Sequence, residues 1–415
     1  MLRQNSWLPM GGWTRLPAGS TVQDGVAELA YVMSRFQPMR TKLRFDDDGE
    51  PWQVVFPAGE THLEVIEGHG DLDELAESVR LWYHETPFDF ENDWPVRMAV
   101  IEHEGKATHL IAIMCHIVSD GLGALVMLSD CAARTEEPVD GTQPLAQAQW
   151  QATPAGQRQN AAALKHWEKT LLSVAPLSFP PSPQRPQPRH WRGDFSSPAL
   201  LKAVHALTVA AQVDSSQVLL AIFASALNRV SEVNPVAIRP MVSNRFRPGL
   251  SNVVALVAQY GLCALDVAGL TFSEVLSQVG KATMTAYKYA YYDPAGLHKT
   301  VANVLAERKP AFFNDRRMET RQGFPGPVPS ASDILDAATD CQLDWTIKQD
   351  DPFEPLILHV DDAPGAMNIV IFMDTHFIAP DVAEELLRAM QEVAVQAALG
   401  EAVQPPELVT AGRQA

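Results

Sequence analysis

The chain has 415 residues, 46% hydrophobic and 20% charged, a balance that excludes wholesale disorder at a length beyond one ordinary hydrophobic core, so two domains are expected. Its 50 acidic residues against 32 Lys and Arg give a net charge of −18, a field that repels nucleic acid and anionic membrane and excludes both as general partners. The opening MLRQNSWLPMGGW carries no long apolar run, no stretch approaches a membrane span, and the four cysteines form no CxxC pair. A soluble, monomeric protein of a reducing cytoplasm is the expectation, without metal or disulfide framework.

In chain order, Val26, Leu29, Ala30, Met33 and Phe36 share one face of a helix over 24–36. Strands follow at 40–45 and 52–56. Asp71 and Glu74 form a capping-box-like start to a helix reaching about His84. Strands are read at 96–102 and 108–115. The second, HLIAIMC, is nearly continuous in apolar residues, as for a central strand buried on both faces. A helix is read over 122–133. Residues 176–198, PLSFPPSPQRPQPRHWRGDFSSP, are too rich in proline for helix or central strand and read as an extended linker. The division is therefore 1–175, linker 176–198, and 199–415. Beyond it, helices are read at 199–212, 215–230, 272–290, 295–308 and 381–399, and strands at 236–242, 262–267, 342–347, 356–360 and 367–373. Residues 310–329 read as irregular, and no internal repeat at a fixed period is visible. The pattern describes two α/β lobes joined by a Pro-rich linker.

The segment that carries chemistry is Met114-Cys115-His116-Ile117-Val118-Ser119-Asp120-Gly121. A buried strand ends in a His, an Asp four residues on, and a Gly. A rigid strand end holds a polar side chain well at the edge of a cleft, and imidazole suits proton transfer near neutral pH. Gly121 is read as the residue that permits a sharp turn. Asp120 either orients the imidazole or pairs with an Arg.

CHIVSDG resembles the H-H-x-x-x-D-G core motif of nonribosomal peptide synthetase condensation domains and related acyltransferases. Pro38-Met39-Arg40-Thr41-Lys42-Leu43 resembles the family's A-L-R-T-x-F segment. Glu85-Thr86-Pro87-Phe88-Asp89-Phe90 with Trp94-Pro95-Val96-Arg97 resembles its x-x-P-F-D-L … x-P-L-R. The first half matches in motif order, the second mainly in element order. The first His of the pair is Cys115 here, and His116 holds the position to which the family assigns catalysis. Gln259 to Asp266 stands where the family has F-V-N-T-L-P-L-R and lacks its Asn-Thr. The resemblance implies two chloramphenicol-acetyltransferase-like lobes in a V-shaped pseudo-dimer with the active site in the channel between them, in a free-standing member.

The resemblance further implies an acyltransferase of natural-product and antibiotic biosynthesis. It would pass an acyl or aminoacyl thioester, held on the 4'-phosphopantetheine of an acyl or peptidyl carrier protein, to a small amine or alcohol acceptor, and would bind no cofactor of its own. His116 is then base or positioning group, the N–H of Gly121 an oxyanion donor, and Asp120 a structural residue paired with Arg245 of the second lobe. Arg316, Arg317 and Arg321, with Arg185, Arg189 and Arg192 of the linker, are the cationic clusters for a carrier or its phosphopantetheine. His109 and Cys115 read as packing, Ser119 lacks a nucleophile's setting, and Tyr287, Tyr289, Tyr291 and Tyr292 read as helix packing and surface. A non-catalytic recruitment module and an acyl-CoA-dependent acyltransferase are the competing readings.

Overall fold

The computed structural model describes residues 8–180 and 185–400. They divide into two compact units. Among the described residues, the first takes in 8–157 together with 243–258, and the second 158–180, 185–242 and 259–400.

The first unit runs β1 (Pro9–Arg15), α1 (Val22–Arg35), β2 (Thr41–Phe45), β3 (Pro51–Val55), β4 (Glu64–Glu67), α2 (Leu72–Glu85), β5 (Val96–His103), β6 (Lys106–Cys115), α3 (Gly121–Ala133) and α4 (Pro144–Ala152). Its main sheet has the order β1-β6-β5-β4, and β2 and β3 form a separate hairpin. Strand β6 lies between β1 and β5, antiparallel to both. Alternation along β6 feeds two cores. Ile111, Ile113 and Cys115 pack with Ala76, Val79 and Tyr83 of α2, while Met114 packs with Leu29, Val32 and Met33 of α1. The expected double burial of β6 follows from this sandwiching by two helices. Thr21 and Asp24 form a reciprocal capping box on α1. Asp71 caps α2 more simply, accepting from the N–H groups of Asp73 and Glu74 at 3.0 and 3.2 Å, a contact worth about 1 kcal/mol.

Helix α5 (Pro154–Leu172) leads to the second unit. There follow β7 (His190–Ser197), α6 (Pro198–Ala211), α7 (Ser215–Ser231), β8 (Val236–Val242), β9 (Gln259–Tyr260), β10 (Cys263–Leu265), α8 (Phe272–Lys288), α9 (Pro294–Arg308), β11 (Ala311–Asp315), α10 (Ala331–Asp336), β12 (Gln342–Gln349), β13 (Leu356–Ala363), β14 (Ala366–Asp374) and α11 (Pro380–Ala398). The sheet order is β10-β8-β11-β13-β14-β7-β12, with β9 on β8. Helices α6, α7 and α11 bury one face of it, with Leu219, Ile222, Phe223, Leu386 and Met390 meeting Ile238, Phe313, Leu358 and Ile371. Among the described residues, no single helix is long and apolar enough to cross a membrane.

The two units share a building block without sharing a sequence period. In the first, hairpin β5–β6 leads through residues 116–120 to α3, and β1 pairs with β6. In the second, hairpin β13–β14 leads through 375–379 to α11, and β7 pairs with β14. Thr375 stands at the place of His116, and Ala379 at that of Asp120, so only the first copy carries the motif.

Two readings are corrected. Residues 176–198 are not wholly linker, since 190–197 form β7, paired on both sides by β14 and β12. No proline falls between Pro188 and Pro198, the span that holds the strand, and alternation in HWRGDFSS is broken by Gly193, which masked its period. Residues 310–329 are not wholly irregular either: Ala311–Asp315 is β11, parallel to β8 and β13. Five residues, three of them apolar, give too short a signal beside the following Arg, Pro and Gly.

Candidate active site

Strand β6 ends at Cys115, whose N–H donates to the carbonyl of Pro95 at 2.9 Å, and the N–H of His116 donates to that of Leu8 at 3.1 Å. A turn closed by the Val118 N–H on the Cys115 carbonyl, 3.2 Å, reverses the chain. The imidazole of His116 is half-buried. Its Nδ1 lies out of solvent with no hydrogen-bond partner among the described residues. Cys115 is fully buried among Ile111 and Ile113, where burial raises its thiol pKa, so it offers no thiolate.

Asp120 is the N-cap of α3 and is 5% exposed. Its carboxylate accepts from the Gly123 N–H at 2.9 Å, the Val257 N–H at 3.1 Å, the Ala258 N–H at 3.0 Å and Nη1 of Arg245 at 2.9 Å. Arg245 also donates from Nη2 to the Val253 carbonyl at 3.0 Å. Four donors occupy the carboxylate, so Asp120 acts on the turn and on residues 243–258, and its bonds among the described residues run to these donors and not to the imidazole. The structure thus brings Asp120 and Arg245 together. Arg245 is not, however, in the second compact unit. Residues 243–258 return to the first, where Val254 joins the core under α1 and Asn252 donates to Asp140 at 2.7 Å. A chain that leaves and returns is invisible to a single dividing line.

The role given to Gly121 is also corrected. It is the first residue of α3 without a positive φ, and a Cβ there would meet nothing within 4 Å. The sterically required glycine is Gly123: a Cβ would stand 2.5 Å from Ser119 Oγ, 2.9 Å from Arg245 Nη2 and 3.2 Å from the Ala255 carbonyl. Sequence reasoning missed Gly123, although the repeated glycine in Gly121-Leu122-Gly123 was a signal, and the amides of Val257 and Ala258, for which there was none. Gly121 keeps its N–H at the helix start, where no intrahelical acceptor exists.

The expected cationic clusters separate. Arg316 is exposed and bidentate on Asp361 at 2.9 and 2.5 Å. Arg317 is fully buried, bonded to Asp315 at 2.7 and 2.8 Å and to Ser215 at 2.9 Å, so it cannot meet a carrier. Arg321 is exposed. Arg189 is bidentate on Asp374 at 2.7 and 2.6 Å and Arg192 donates to Asp194 at 2.9 Å, while Arg185 is exposed. Each pair escaped notice because its carboxylate lies two residues away or on a distant strand. Among the described residues, no group of three or more His, Cys, Asp or Glu could hold a metal ion.

A strand-end His, a buried Asp-Arg turn and two α/β units built on a shared plan are the features of a condensation-domain protein. The family model described as Condensation domain matches residues 26–315, and the chain belongs to that family. It is 25% identical over 277 residues to Nonribosomal peptide synthetase kk1B of Curvularia clavata, covering 62% of this chain and 2% of the relative. The chain therefore spans a small part of the length of such relatives. The solved structure described as the molecular basis for condensation domain-mediated chain release from the enacyloxin polyketide synthase matches with a TM-score of 0.75 and 18% identity, over 99% of this chain and 80% of that one. The complex of the X-domain and OxyB from teicoplanin biosynthesis matches with a TM-score of 0.70 and 17% identity, over 96% and 91%. Both likenesses establish the chloramphenicol-acetyltransferase-like fold.

Proposed function

We propose that the chain transfers an acyl or aminoacyl thioester, delivered on the 4'-phosphopantetheine of a carrier protein, to an amine or hydroxyl acceptor, forming an amide or ester. The observation that carries this reading is the mount of His116: an imidazole on a turn whose Asp120 is held by four donors and is thereby kept from the ring. With Nδ1 shut from solvent, Nε2 is the nitrogen for the substrate. It accepts the proton of the attacking N–H or O–H as the new bond to the acyl carbon forms. Holding that nucleophile in line contributes beside basicity. Oxyanion charge falls to a backbone donor, for which Gly121 has open space beside it. Collapse breaks the carbon–sulfur bond, and the proton on His116 passes to the departing pantetheine thiolate.

The fold likeness to the X-domain found with OxyB supports a second reading, a recruitment module that binds a protein without turnover. Incubating the purified chain with acyl-carrier thioesters and with the same acyl groups on CoA, in the presence of amine and alcohol acceptors, and following amide or ester by mass spectrometry separates the readings. Product from the carrier donor alone is expected. Equal kcat/KM with CoA supports the CoA-dependent reading, and no product from either donor overturns transfer.

A further inference from the structure

Strand β6 delivers His116 between β1 and β5, and the two flanks differ. On the β5 side the Cys115 N–H reaches the Pro95 carbonyl at 2.9 Å, so one further step of the register sets Trp94 across from His116. The Trp94 ring is fully engaged by its own neighbours. Its Nε1 donates to the Glu60 carbonyl at 2.7 Å, Lys42 Nζ stands 4.1 Å from its centre, and Phe56 meets it edge-on at 5.8 Å. The backbone at Gly59 lies so close that a Cβ there would be 2.3 Å from Trp94 Cζ2. On the β1 side the His116 N–H donates to the Leu8 carbonyl at 3.1 Å, one step beyond the pair Pro9 and Cys115. Opposed residues of a bonded pair have Cα atoms about 5.5 Å apart, which makes Leu8 the cross-strand neighbour of His116. Leu8 is 49% exposed.

Leu8 is also held in a conformation that leucine resists. Its φ is +45°, in the left-handed region, where a Cβ crowds the carbonyl that follows. Among the described residues, every other non-glycine with a positive φ is polar and has a local reason for it. Arg134, Gln212, Glu232 and Lys309 close helices α3, α6, α7 and α9. Glu104 stands in the turn between β5 and β6, and Asn244 is of a type that tolerates this region. Leu8 instead precedes a strand, and half of its apolar side chain stays in solvent. Glycine would relieve the backbone strain, at the loss of that side chain. Strain kept beside a reacting group, with no burial to offset it, marks a side chain held for function.

We propose that the Leu8 side chain sets acceptor preference at His116, packing against an apolar chain on the carbon that bears the nucleophilic nitrogen or oxygen. The proposal rests on the acyl-transfer reading only for naming the occupant of His116 as the acceptor, and its test measures binding apart from turnover. The probes are 1-hexanol and 2-(2-methoxyethoxy)ethanol, which present the same hydroxyl on an apolar and on a polar chain of similar length. Binding to the full chain is read from the His116 imidazole signals in heteronuclear NMR, assigned by their loss in His116→Ala. Wild type is expected to bind 1-hexanol about fivefold or more tightly than the ether alcohol. Leu8→Gly is expected to keep or raise the melting temperature, to weaken 1-hexanol about fivefold or more, and to change the ether alcohol less than about twofold. Leu8→Met, which keeps an apolar side chain of similar volume, is expected to retain the wild-type preference. If Leu8→Gly loses its fold, Leu8→Asn is expected to show the same selective loss. His116 signals unmoved by 1-hexanol in wild type, equal weakening of both alcohols, or undiminished 1-hexanol binding by the folded variants overturns the role of Leu8. Selective loss of 1-hexanol binding without ester formation by wild type from a carrier-bound thioester overturns the transfer reading instead and leaves the role of Leu8 standing.

Discussion

Asp120→Ala removes a buried carboxylate that accepts from Gly123, Val257, Ala258 and Arg245. Arg245, with a side chain 10% exposed, is left charged beside no carboxylate, and breaking a buried pair from one side costs about 3–5 kcal/mol. The three amides add penalties of about 1–3 kcal/mol each at most, reduced as they relax together or find solvent. A loss of about 4 kcal/mol corresponds to a melting point lower by roughly 10 °C for a unit of this size. Calorimetry and urea unfolding of the single variants and of Asp120→Ala with Arg245→Met form a double-mutant cycle. The double variant is expected to lose less than the sum of the two singles, because the unpaired charge is gone. Additive losses, or a melting point within about 1 °C of wild type for Asp120→Ala together with lost activity, would refute the anchoring role and assign Asp120 directly to the chemistry.

Other outcomes follow from the same geometry. Gly123→Ala drives a Cβ against Ser119 and Arg245 and is expected to cost about 1–3 kcal/mol by denaturant unfolding, whereas Gly121→Ala, facing open space, is expected to leave stability within about 0.5 kcal/mol. His359, held near 3 against an ordinary value of 6.5, takes up its proton only in the unfolded chain between those values. Stability should therefore fall as pH drops from 6.5 toward 3, with a slope of up to about 1.4 kcal/mol per pH unit; urea unfolding at pH 6, 5 and 4 is expected to show a shallower slope in His359→Leu, and an unchanged slope contradicts the assignment. Charge reversal at exposed Arg321 is expected to raise KM for a carrier-bound donor without changing the melting point. Arg317→Ala is expected to lower the melting point by several degrees through its unpaired Asp315, and a melting point equal to wild type would contradict that.

What the sequence revealed of this molecule follows physical range. Helices such as α1 and α11, with an apolar stripe over four turns, and strand β6, apolar almost throughout, were legible because their signal is local and long. Strands β7 and β11 were not: one emerges from a proline-rich stretch and interrupts its period at Gly193, the other has five residues. The reactive turn was legible as His116 and Asp120 on a buried strand's end. The choice of Arg245 came from family resemblance, since nothing local ties it to Asp120, 125 positions away. The division of labour between Gly121 and Gly123 needed coordinates, because only packing distinguishes a glycine with empty space beside it from one pressed on Ser119 and Arg245. The basic clusters misled for a related reason. Counting arginines along the chain ignores the carboxylates brought to them by register, as Asp361 is to Arg316 and Asp374 to Arg189.

The most direct test of the central claim is a single-turnover measurement with a carrier-bound acyl thioester and its acceptor, comparing wild type with His116→Ala. The variant is expected to keep the wild-type melting point and carrier affinity while the rate of amide or ester formation falls by about 10²–10⁴-fold. A folded His116→Ala protein that forms product at a rate close to wild type would contradict the account.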